Sequence, residues 1–378
     1  VVYKSFSPNL NAFTGGLVNI VTKDFPEQLT ISFSAKFEYN TQSSFNEDFL
    51  SYEGGKSDWI GIDDGTRDWP VKPEDIPLYP TDRNRLDEIP MSFNKIMEPN
   101  PKKTFMNQSY GFSIGTQTTL FNRPFGINIG LSYKNEFNSF DDGLRGLYKL
   151  TSADANGLNK EQEYNETAGM YESLIGGLLN LNYRLSPKHK LGYVLLYNHS
   201  GQKKAFYHYG QKPSDEIGMF IQNRELRFEE RSIAANQLKG SHALGDENGL
   251  KIDWIVSYTI SKQDEPDHRF FTNSYYPDAT GDAEYEINPS KYKVPSRYNR
   301  SMDEWNLDNK LDFELPFTFL GDKSKFKFGG AYTYKNREFR EEKISYLAQV
   351  QYYNGDVSEY LADENIGQNN PLYDPVTR

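Results

Sequence analysis

The 378-residue sequence has no cysteine. That excludes disulfides, cysteine-ligated zinc and thiol chemistry. Histidine is scarce, with His189, His199, His208, His242 and His268 making five. No two of them stand at the i, i+4 spacing of a helical metal pair, so they read as isolated surface or loop residues, with no metal site. Order along the chain does not fix a Ser-His-Asp triad, so no catalysis and no cofactor are assigned, and an enzyme is not expected. No run approaches the roughly 18 apolar residues of a membrane-crossing helix. Hydrophobic residues are 37% and mean hydropathy is -0.76. A basic excess is missing too: Lys and Arg number 42 against 53 Asp and Glu, a net charge of -11, which disfavours nucleic acid as a partner. The opening "VVYKSFSPNL" lacks the basic start, apolar core and small-residue cleavage site of a signal peptide. A cytoplasmic protein, or a mature or partial sequence, is the expectation from that.

What is abundant is aromatic and small. There are 27 Tyr, 25 Phe and 29 Gly, a composition suited to strands and turns. In "LTISFSAKFEYN" Leu29, Ile31, Phe33, Ala35, Phe37 and Tyr39 share one face, and Thr30, Ser32, Ser34, Lys36, Glu38 and Asn40 the other. The alternation returns at 106–120, 125–137, 171–185, 190–200, 251–261, 303–317 and 325–336, and more weakly near 224–241. These runs make about nine strands of about 11 to 16 residues, enough to cross a bilayer with tilt. Short links near 122–124, 186–189, 242–249 and 319–324 alternate with long ones at 42–104, 138–170, 202–223, 263–301 and 341–378. An up-and-down meander gives that alternation when one end has tight turns and the other elaborated loops.

A soluble sandwich has strands of about 5 to 6 residues and does not segregate its loops by length. The fold class predicted is therefore all-β: an antiparallel up-and-down transmembrane β-barrel wall, one face against outer-membrane lipid. Tyr39, Phe137, Tyr171, Tyr183, Tyr197 and Tyr334 suit aromatic girdles. Nine strands do not close a bacterial single-chain barrel, which uses an even number, so part of a larger barrel is expected.

The stretch "SPNLNAFTGGLVNIVTKDFPE" resembles the last plug strand of TonB-dependent outer-membrane receptors, through Gly15, Gly16, Val18, Asn19, Ile20, Thr22 and Lys23. "DFPE" and "GIDDGTRDWP" look like a Bacteroidetes-type subgroup; the "SPN" start departs from the sugar importers that pair with a lipoprotein lid. The resemblance implies that 1–27 ends a plug domain and 28–378 begins a barrel of about 22 strands. It implies a receptor that takes up a nutrient with energy from TonB, which would bind through a segment preceding this sequence. A lipoprotein or other outer-membrane partner is left open. Since the plug exits at the periplasmic end, the long loops would be extracellular. The alternative is a receptor-like barrel used as a scaffold subunit, and a remoter one a soluble β-protein.

Three stretches invite chemistry. "GGKS" at 54–57 is not a phosphate loop, because Leu50 stands where the first Gly is needed. "IDDGTRD" at 62–68 lacks the spacing and terminal Glu of a calcium loop and reads as an Asp-capped turn with Gly65 at positive φ. Asp63, Asp64 and above all Arg67, with its planar donor fork, are the candidates for touching plug or substrate, flanked by Trp59 and Trp69. In the expected loop 263–301, Phe270, Phe271, Tyr275 and Tyr276 are either a ligand platform or the loop's own packing, and packing is preferred because a long loop must first order itself.

Overall fold

The computed structural model describes residues 2–3, 17–18, 25–76, 83–150, 152–154, 156–213, 216–245, 249–277, 283–289, 292–347, 351–365 and 374–377. Of the plug-like motif, only Val18 falls within these. It sits in a two-residue strand, Leu17–Val18, paired with Val2–Tyr3. Gly15, Gly16, Asn19, Ile20, Thr22 and Lys23 lie outside the described residues.

Nine long strands follow in order: β1 (Thr30–Glu38), β2 (Asn107–Leu120), β3 (Arg123–Lys149), β4 (Asn159–Ser186), β5 (His189–Gln211), β6 (Phe220–Ala243), β7 (Lys251–Pro277), β8 (Ser296–Phe319) and β9 (Asp322–Leu347). Each pairs antiparallel with the next in sequence, so the sheet is an up-and-down meander. Among the described residues, β1 does not pair with the far end of the sheet. No helix of the described residues is long and apolar enough to cross a membrane.

The pairing register aligns the alternation from strand to strand. One row runs Ile31, Ile114, Ile129, Leu179, Leu195, Asn236, Tyr258, Leu307, Tyr334. A row on the opposite face runs Thr30, Gly115, Asn128, Asn180, Val194, Gln237, Ser257, Asp308, Thr333. The sheet therefore has an apolar face and a polar face at this level. The apolar face is bare of protein: Phe33 is 72% exposed, Leu131 56% and Tyr332 61%. Residues 25–28 lie on the polar face, where Pro26 packs beside Gly115 and the Arg184 guanidinium stands 4.6 Å from the Phe25 ring centre.

The strands outrun the alternation that marks them. β3 has 27 residues and β4 has 28, against the 9 to 11 or so that a bilayer requires. The connections 138–170, 202–223 and 263–301 accordingly shrink, because strand fills most of each. Beyond the apolar rows each face mixes polar with apolar side chains, so the period-2 signal fades while the backbone ladder continues. The short turns are as expected. Phe121–Asn122 and Leu320–Gly321 both have positive φ at each residue, the geometry of two-residue hairpins.

Candidate functional site

Residues 39–76 and 83–106, between β1 and β2, leave the sheet and fold back against it. Their base is held by Asn46 N donating to Thr104 Oγ1 at 3.0 Å, and by Leu50–Ser51 pairing with Asn100–Pro101. The segment returns to the apolar face, beyond the apolar rows. Trp59 O accepts from Tyr133 Oη at 2.7 Å and Ser173 Oγ at 2.8 Å, and His199 Nε2 donates to Gly61 O at 2.8 Å. Glycines permit this approach. A Cβ on Gly61 would stand 2.6 Å from Gly201 N, and one on Gly169 would collide with Leu50 O.

The 62–68 turn is organised by its carboxylates. Gly65 has φ 86°, and its N–H donates to Asp63 Oδ2 at 3.2 Å. Asp64 accepts from the Thr66 hydroxyl at 2.5 Å and from Lys56 N at 2.7 Å, which draws its carboxyl down to about 2. Arg67 does not face open space. It is 2% exposed, donates to Asp63 at 2.6 Å and to Asp58 at 2.8 Å, and lies 4.0 Å over the Phe228 ring. Burial opposes its charge, yet Tyr52, Asp58 and Asp63 hold its pKa above the ordinary value. Lys203 of β5 reaches the same Asp58 at 3.1 Å. The fork that sequence reading offered to a ligand is occupied within the chain.

A second ion cluster centres on Asp267. A bulge interrupts β7 between Glu265 and His268, and Asp267 takes φ 50° there. Its carboxylate receives Arg297 Nη1 at 2.7 Å on both oxygens, Arg269 Nε at 2.7 Å and Trp69 Nε1 at 3.3 Å. Arg297 also donates to Asn94 O, and Arg269 to Ile96 O at 2.8 Å. Asp267 thus ties the folded-back segment to β7 and β8. Trp59 and Trp69 serve different places: Trp69 packs on Phe93 within a buried group including Ile76, Ile89 and Ile344, while Trp59 is 60% exposed over Tyr133.

The aromatic run of 270–276 lies in strand β7, not in a loop, and pleating divides it. Phe271 is fully buried in a cluster with Met97, Ile287, Tyr346 and Tyr360. Tyr275, on the same face, stacks with Tyr209 and Phe220 at 5.9 and 5.3 Å. Phe270 and Tyr276 point the other way; Phe270 lies 4.4 Å from the His268 ring. No common platform of the four forms.

The histidines are not isolated loop residues. All five lie in strands, and His199, His208 and His268 are buried. On the polar face, Glu166 meets His208 and Glu225 meets His268, each at 2.8 Å. Arg227 and Arg300 both donate to Glu265, at 2.7 and 3.1 Å. Among the described residues no group of His, Asp and Glu could hold a metal ion. Sequence reading missed Asp58, Lys203, Asp267 and Arg297. The one local signal was Pro266, since proline inside a strand marks a bulge.

A cleft of about 660 Å³ opens where the folded-back segment meets the sheet. Phe137, Tyr171 and Lys203 form its strand-borne lining. Tyr52, Lys56, Asp58 and Trp59 line it from one arm of the segment, and Lys102 and Lys103 from the other. No protein-family model matches the chain, and no curated protein or solved structure matches it significantly.

Proposed function

We propose that this chain forms part of the wall of an outer-membrane receptor that imports a nutrient with energy from TonB. The observation that carries the membrane part is the register-aligned, solvent-bare apolar face. A soluble sheet would need a second layer over those rows, whereas lipid covers them without further protein. The strand lengths and the alternation of tight turns with long connections agree with a barrel wall. Residues 25–28 lie on the polar face, as a linker from a plug inside the lumen would. The receptor role itself rests on the plug-like motif at 15–23.

One observation favours the scaffold alternative. Residues 43–76 and 83–104 cover the outside of the wall above the apolar rows, where a neighbouring protein would meet them. The full-length protein decides between the two. As a receptor it should fractionate with the outer membrane and crosslink to TonB through a segment preceding the motif. An open reading frame without plug or TonB-contacting segment, together with a stoichiometric partner in mild detergent, would replace the receptor by the scaffold.

A further inference from the structure

The cleft beside Lys203 has a chemistry that the import reading does not use. Its floor, Phe137 and Tyr171, is on the same face as the apolar rows and four residues beyond Tyr133 along β3. With about 3.3 Å per residue and a tilt near 40°, that is about 10 Å above the Tyr133 level along the bilayer normal. With the Tyr133 level at the hydrocarbon edge, polar layers of roughly 5 to 8 Å end just below that height, so the cleft opens at the outer edge of the headgroups.

Three features of the lining point to one ligand class. Lys56, Lys102 and Lys103 are exposed at the cleft, and Lys103 has only an exposed partner, Glu47 at 2.7 Å. Lys102 and Lys203 both line the cleft, the first from the folded-back segment and the second from β5. The cleft lining also carries Glu53 and Asp58, which leaves four lysines against two carboxylates. Asp58 is buried and spent within the chain, its Oδ2 gripped by Arg67 and Lys203, so it offers the cleft no open charge. Trp59 and Tyr171 add flat aromatic faces of the kind that pack on a sugar ring.

We propose that this cleft seats the phosphorylated sugar headgroup of a membrane lipid lying against the outside of the wall. Lys56, Lys102 and Lys103 contact the phosphate, the exposed Trp59 ring lies against the sugar, and the acyl chains run down the bare apolar rows. The same chemistry suits a free sugar phosphate. The lipid is the source chosen because the cleft stands directly above the apolar face. The inference rests on the membrane reading.

The test uses the full-length protein in non-ionic detergent, with binding followed by native mass spectrometry and titration calorimetry. Three probes are compared: a diphosphorylated glucosamine-disaccharide lipid, its dephosphorylated form, and glucosamine 1-phosphate. The phosphorylated lipid should bind at least tenfold more tightly than either of the others. The triple variant Lys56→Gln, Lys102→Gln, Lys103→Gln, at exposed positions that leave the fold intact, should lose that tenfold preference. Equal binding of the two lipids, or a preference untouched by the triple variant, overturns the proposal. Binding of glucosamine 1-phosphate as tight as that of the lipid overturns the assignment to lipid. A chain that stays soluble without detergent and fails to float with vesicles defeats the membrane reading instead. One that inserts but ignores the phosphate defeats only the headgroup site.

Discussion

Replacing Asp267 by alanine is expected to destabilise the chain by about 3 to 5 kcal/mol, the range for stripping a buried ion cluster of one partner. Asp267 is 6% exposed and is the carboxylate that both Arg269 and Arg297 address. Without it two guanidiniums remain buried, with Arg297 fully enclosed. Some of their donors keep Ile96 O, Asn94 O and Tyr346 Oη, but none of those carries a charge. The loss should appear as a lower urea midpoint with an unchanged slope, by about 1 to 5 M for slopes near 1 to 3 kcal/mol/M. Adding Arg297→Met to Asp267→Ala removes one stranded charge and should recover part of the loss. A midpoint within error of the parent in the single variant would show that the cluster is not what holds the folded-back segment to β7 and β8.

Gly201→Val should release that segment while leaving the sheet intact. Gly201 and Gly61 meet backbone to backbone, so no side chain can be moved aside to make room. Inserting carbon into a packed contact costs about 1 to 3 kcal/mol, and here the cheaper response is for residues 54–67 to lift away. Their amides should exchange hydrogen at least tenfold faster, and Arg67, leaving the Phe228 ring while keeping Asp58 and Asp63, should become accessible to trypsin. Amides of β4 and β5 should keep their protection. Gly330→Ala is the control, because a Cβ there meets nothing within 4 Å. Unchanged exchange in Gly201→Val would contradict the docked position of the segment.

The lower halves of the strands were legible because one face there is apolar and the other polar, and period 2 shows through a single sequence. The run 29–40 of β1 and the run 251–261 of β7 are cases where the written pattern and the paired strand coincide. The upper halves were not. In "KQDEPDHRF" both faces are polar, and proline argues locally against a strand. What sustains β7 there is pairing with β6 and β8, together with a bulge that absorbs Pro266. The Asp63–Arg67 pair was half readable, four residues apart in a turn. Its burial was not, because Lys203 and Phe228 arrive from strands more than a hundred residues later. The docking of 50–61 depends on glycines distant in sequence, Gly201 against Gly61 and Gly169 against Leu50, and no local pattern announces such contacts.

The central claim is that the bare face of this sheet meets lipid and the other meets water. The absence of native cysteine makes single-cysteine spin labels a clean probe of it. Labels at Leu131, Leu179, Val256 and Phe328 report the apolar face, and labels at Ser132, Asn180, Ser257 and Lys327 the polar face. In vesicles, the first set should collide with oxygen, which concentrates in hydrocarbon, and be shielded from a water-soluble nickel chelate. The second set should show the reverse, residue by residue along each strand. Equal access of the nickel chelate to both sets would contradict the account.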